Sequence, residues 1–156
     1  MSKVGRYSAD RKKIEDLSDS KTITVADCGT IFILASGSTG GSNAGKYTLT
    51  LPTTADAGNG WWCKMVLKET SGGDITVTGS STYSISDGLN MFISTYPQDA
   101  SALQAVPAIR NGTAVGGFVL DVSHLAVNDQ VEIVSDGTNY YCTAMVSQSA
   151  GVDLAP

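Results

Sequence analysis

Gly40-Gly41-Ser42-Asn43-Ala44-Gly45-Lys46 fills the first seven positions of a phosphate-binding loop. In that motif backbone N–H groups cradle a phosphate and the lysine reaches its outer oxygens. The eighth position should bring a hydroxyl to magnesium, and here it is Tyr47. The segment after the loop should open a helix whose N-terminus faces the phosphates. Residues 46–51 instead alternate polar and apolar side chains, as a strand does. In a chain with 17 glycines a chance match arises easily, so nucleotide binding is not expected.

The other reactive residues assemble no catalytic set. His124 is the single histidine, near Asp121 and Ser123. Neighbours in one strand-and-turn segment need not converge on a nucleophile. Asp87 and Asp136 lie in Ser-Asp-Gly turns, where a carboxylate caps backbone groups. Asp74, Asp87 and Asp136 lack the ligand spacing of a calcium loop. Cys28, Cys63 and Cys142 cannot all pair within one chain, match no zinc spacing and lie in or near apolar segments. They read as free, buried thiols of a reducing compartment. The expectation is a protein that is not an enzyme and holds no cofactor or metal.

The elements that would carry these residues are short and β-like. Apolar residues alternate around residues 22–25, 30–35, 46–52, 61–67, 75–78, 82–85, 90–95, 118–122, 130–134 and 139–146, with glycine, serine and asparagine between them. The turn Ser71-Gly72-Gly73-Asp74 predicts a hairpin between its flanking strands, and Ser135-Asp136-Gly137 a second one. Residues 96–112 are the least regular stretch. No helical pattern of crossover length is present, and a parallel sheet ordinarily needs one. The predicted fold is all-β, a single antiparallel sandwich or barrel of jelly-roll type, over residues 21–147. Residues 148–156 form a short C-terminal tail. The chain has its own Met1 and is expected to stand alone as one domain.

Residues 1–20 are expected to be an N-terminal basic arm. The first 21 residues carry six basic side chains against four acidic ones, whereas the remainder carries four against eleven. Residues 9–17 have room for a short helix with Ile14 and Leu17 on one side. Arg6, Arg11, Lys12, Lys13, Ile14 and Leu17 are the residues through which such an arm would grip a partner. The acidic body offers nothing to neutralise a phosphate backbone, so nucleic acid is not expected as a partner. No apolar stretch is long enough for a membrane helix. Trp61-Trp62 and Tyr140-Tyr141 each place one ring on either side of a strand. All four are candidate oligomer or partner contacts, and an outward ring also suits sugar stacking.

The order of the segments Thr22-Ile-Thr-Val-Ala-Asp-Cys-Gly-Thr30, Ile31-Phe-Ile-Leu34, Tyr47-Thr-Leu-Thr-Leu-Pro52, Asp74-Ile-Thr-Val-Thr-Gly79 and Asp129-Gln-Val-Glu-Ile-Val-Ser-Asp-Gly-Thr-Asn-Tyr140 resembles the small β-structured virion proteins of tailed bacteriophages, above all capsid decoration (cement) proteins. The resemblance covers residues 22–147. It implies a non-enzymatic homo-oligomer, dimer or trimer, made in the bacterial cytoplasm. Such a protein binds the major capsid protein on the outer capsid surface and cements neighbouring subunits. A tail-fibre or baseplate module, and after it a carbohydrate-binding module, are the alternatives.

Overall fold

The computed structural model describes residues 12–35, 45–79, 89–95, 108–112 and 117–155. The predicted strand at 82–85 and the turn at 86–88 lie outside them. Twelve strands run in chain order: β1 (Lys13–Leu17), β2 (Lys21–Thr22), β3 (Thr30–Leu34), β4 (Tyr47–Thr50), β5 (Asn59–Leu67), β6 (Ile75–Thr78), β7 (Leu89–Thr95), β8 (Ala108–Gly112), β9 (Gly117–Leu120), β10 (Gln130–Asp136), β11 (Tyr140–Val146) and β12 (Val152–Ala155). A short α-helix, α1 (Thr54–Ala57), follows Pro52, and the Thr53 hydroxyl caps it by accepting the Asp56 N–H at 3.1 Å.

Two sheets result. The first has the order β1-β3-β5-β10-β11-β7-β8 and the second β12-β9-β6-β4-β2. The all-β, sandwich-like architecture agrees with the alternation in the sequence. The pairing does not, because five of the ten described strand pairings are parallel. Through β6 the chain changes sheet at every connection. Strands β1, β3 and β5 stack in parallel in the first sheet, and β2, β4 and β6 do so in the second. Each strand of the opposite sheet thus serves as the crossover that a helix would otherwise supply. This is why the absence of crossover helices did not enforce an antiparallel fold. The turn at 71–74 accordingly joins strands of different sheets and makes no hairpin. The β10–β11 pair is antiparallel as expected. Neither strand order returns on itself among the described residues.

The core lies between the sheets. Alternation delivers Phe32 and Leu34 from β3, Trp61, Cys63, Met65 and Leu67 from β5, and Ile133, Cys142 and Ala144 from β10 and β11. They meet Leu49, Ile75, Val77, Phe118 and Val152 from the other sheet. The C-terminal tail belongs to this body, since β12 pairs antiparallel with β9 and Val152 is fully buried. Residues 108–112, at the end of the irregular stretch, form an edge strand on β7.

Candidate functional site

The arm enters the body as a strand. The short helix expected over residues 9–17 is, in its described part, β1, parallel to β3 in the register Lys13↔Thr30 to Leu17↔Leu34. A strand turns alternate side chains to opposite faces. Leu17 therefore enters the core, 7% exposed, while Ile14 points outward, 64% exposed. A helix would have put both on one side. Leu17 anchors the body and is not available to grip a partner. Its carbonyl accepts the Ala35 N–H at 2.8 Å.

Charge fastens the same strand. The Lys13 ammonium lies 3.1 Å from Asp27 Oδ1, and Lys21 lies 2.6 Å from Glu15 Oε1 and 3.7 Å from Asp27 Oδ1. Lys21 also sits 5.3 Å from the centroid of the Phe32 ring. Asp27 Oδ2 accepts the Thr24 N–H at 2.8 Å and the Thr24 hydroxyl at 2.9 Å. Burial alone would raise the Asp27 carboxyl, but the Thr24 N–H, Lys13, the Thr24 hydroxyl and Lys21 outweigh it and leave the pKa below the ordinary carboxylate value. Lys13 is thus paired with the body, although its side chain stays half exposed. Lys12 and Ile14 remain exposed. Arg6 and Arg11 lie outside the described residues.

A carboxylate whose folded pKa is depressed stabilises the fold above its unfolded pKa of about 3.9, and that stability is lost as the pH falls through the lower folded value. Acid therefore loosens the β1 anchor. Thermal melts at descending pH will show a smaller acid-induced loss for Asp27→Asn than for the unaltered protein. Equal losses in the two would remove Asp27 from this role.

The aromatic pairs divide as strand geometry requires. Trp61 and Tyr140 are core residues, each 2% exposed, with ring centroids 6.0 Å apart in an edge-to-face arrangement. The Tyr140 hydroxyl donates to the Pro52 carbonyl at 2.8 Å. Neither serves as an interface contact. Trp62 and Tyr141 point outward. The Trp62 ring lies 3.7 Å from where a Cβ on Gly29 would stand, so the glycine leaves room beside the ring. Tyr141 donates its hydroxyl to Asp136 Oδ2 at 3.0 Å. The Asn139 and Thr138 N–H groups, with that hydroxyl, hold the Asp136 carboxyl down at about 2.

These two rings belong to a larger feature, the outer face of the first sheet. One row across the strands reads Ile14, Ile31, Lys64, Glu132, Thr143, Phe92. The next reads Asp16, Ile33, Val66, Gln130, Met145, Ser94, and on the other side lie Trp62, Val134 and Tyr141. Ile14, Phe92, Val134, Tyr141 and Met145 are all exposed here. The sequence carried the signal in runs such as Ile31-Phe32-Ile33-Leu34, Trp61-Trp62 and Met145-Val146, which are apolar on both strand faces. Such runs belong to strands covered on both sides, a signal distinct from one-faced alternation.

Asp121, Ser123 and His124 do converge, in one turn. Asp121 Oδ2 lies 2.8 Å from His124 Nδ1, and the Ser123 hydroxyl lies 3.1 Å from the same nitrogen. A relay needs the carboxylate on one ring nitrogen and the nucleophile on the other, so the cluster is a turn brace. Lys46, the lysine of the loop motif, leads into β4 and lies 3.7 Å from Asp74 Oδ2. Cys63 and Cys142 are buried, and burial pushes both thiols far up. Cys28 is exposed, contrary to the expectation that all three are buried. No group of three or more His, Cys, Asp or Glu that would hold a metal ion occurs among the described residues. No protein-family model, curated protein or solved structure matches the chain.

Proposed function

We propose that this protein is a non-enzymatic virion component that binds the outer surface of a bacteriophage capsid and cements neighbouring major capsid subunits as a small homo-oligomer. The observation that carries the reading is the anchoring of β1. A basic segment, residues 1–12, is joined to an edge strand that core burial of Leu17 and the Lys13–Asp27–Lys21 ion pairs hold on the body. In this reading the body is a folded block, and the basic segment that leads into β1 is its cationic tether. A block and a tether touching different subunits of a repeating lattice gain avidity through effective concentration.

The test is co-sedimentation with undecorated, expanded shells. Saturation at a fixed ratio to capsid subunits is the expected result. Arg6→Ala/Arg11→Ala/Lys12→Ala leaves the β1 anchor intact and should weaken shell binding about tenfold, on the basis of less than 1 kcal/mol for each exposed charge pair. Unchanged binding by the triple variant would remove the tether from the mechanism.

The second reading, a tail-fibre or baseplate module, is favoured by one observation. The sheet-to-sheet winding of β1 to β6 resembles a short stretch of β-solenoid, an architecture built by repetition along an axis. Retention on tails together with no binding to intact expanded shells would select it.

A further inference from the structure

We propose that the outer face of the first sheet is a self-complementary interface that binds a second copy of this chain across a two-fold axis lying in the interface, parallel to the strands and midway between β5 and β10. Of the seven strands of this sheet, β1, β3 and β5 lie on one side of that line and β10, β11 and β7 on the other, with β8 continuing the sheet beyond β7. Rotation about it lays β5 over β10 of the second copy, β3 over β11 and β1 over β7.

The side chains then meet in compatible pairs. Lys64 and Glu132 are register partners on the two strands nearest the axis. Among the described residues neither makes an ion pair within the chain. The rotation sets Lys64 of each copy opposite Glu132 of the other, twice over, as a closed two-fold interface requires. The same operation sets Trp62 opposite Val134, Ile33 opposite Met145 and Ile14 opposite Phe92. Tyr141 arrives over Gly29, against the Trp62 ring that lies beside that glycine. Sheets packed face to face keep their strand directions within about 30° of one another. The correspondence is therefore tightest beside the axis and looser toward β1 and β7.

Size supports the same occupant. Six strands about 4.8 Å apart, with outward residues over a length of roughly 15–20 Å, make a plate on the order of 25 Å by 17 Å. Its flat area, about 425 Å², is roughly half the 800 Å² per partner of a standard stable interface before side-chain relief is counted. Its centre mixes Trp62, Val66 and Val134 with Gln130, Thr143 and one charge of each sign.

Sedimentation velocity on the full chain, with two charge reversals, tests the proposal. The unaltered protein is expected to sediment at twice its 16.2 kDa chain mass. Lys64→Glu places only acids beside the axis and Glu132→Lys only bases, so each variant alone should sediment as a single chain. Mixed in equal amounts they should return the dimer, because every acid then faces a base of the other variant. A fold-stabilising role within one chain would not produce that recovery. A single-chain mass for the unaltered protein, a threefold mass, or no recovery on mixing would each overturn the proposal.

Should a charge variant fail to fold, Ile33→Cys/Met145→Cys in a Cys28→Ser background replaces it. The two positions lie three strands apart within one chain, about 14 Å, too far for an internal disulfide. A covalent dimer on oxidation supports the interface, and exclusively monomeric product overturns it.

Discussion

Trp61→Ala will lower the unfolding free energy by about 3–5 kcal/mol, the ordinary cost of truncating a large buried aromatic. Trp61 fills the space where β5 faces the second sheet. Its edge-to-face partner Tyr140 is itself fixed through the hydrogen bond to the Pro52 carbonyl. Alanine removes the ring, leaves a cavity and frees Tyr140 to shift. A domain of this size is stable by about 5–15 kcal/mol, so the loss is a large share of the total. It should depress the melting temperature by about 10 °C or more. Trp61→Phe separates packing from hydrogen bonding, because the indole Nε1 is buried without a partner in the described structure. Phenylalanine retains much of the volume and discards that unpaired donor, so it should cost clearly less than alanine. Equal losses for the two variants in urea melts would show that ring volume is not what matters at this site.

Asp129→Ala is the second large effect, about 3 kcal/mol by equilibrium urea unfolding. The carboxylate is 3% exposed, and its Oδ2 accepts the Ala126 N–H at 2.9 Å, the Ser147 N–H at 2.9 Å and the Ser147 hydroxyl at 2.8 Å. Its backbone carbonyl accepts the Leu67 N–H at 2.8 Å. One residue thus joins the end of β5, the 123–129 turn and the end of β11. Alanine strands these buried donors, and each unsatisfied buried group costs about 1–3 kcal/mol. Asp129→Asn keeps a carbonyl acceptor of the same shape and should fall between alanine and the unaltered protein. An alanine variant within about 0.5 kcal/mol of the unaltered protein, the range of ordinary surface changes, would contradict this account.

The sequence made individual strands legible and left their partners hidden. Tyr47-Thr48-Leu49-Thr50 and Ile75-Thr76-Val77-Thr78 show a period of two that local sterics and one-sided burial impose together. Nothing in that period states which sheet a strand joins. The glycine turn at 71–74 suits a hairpin and suits equally a step from one sheet to the other. Only the core fit of β5 against β6 separates the two. Lys13-Ile14-Glu15-Asp16-Leu17 shows the complementary failure. Its apolar residues are three apart and suggest a helix face, but burial of Leu17 and pairing along β3 outweigh local preference. The candidate site was half legible. That Trp61-Trp62 and Tyr140-Tyr141 would split between core and surface followed from strand geometry. Which ring went inward depended on register, set by residues far away in the chain.

The parallel pairing of β1 with β3 also makes the fastening of this edge directional. A pull on residue 12 along the strand axis loads the whole Lys13–Leu17 ladder in shear, so its hydrogen bonds must yield together. A pull at right angles peels the strand from Lys13 onward, one bond at a time, beginning at the Lys13–Asp27 ion pair. The edge is therefore a mechanically anisotropic fastening, firm against sliding and weak against lifting.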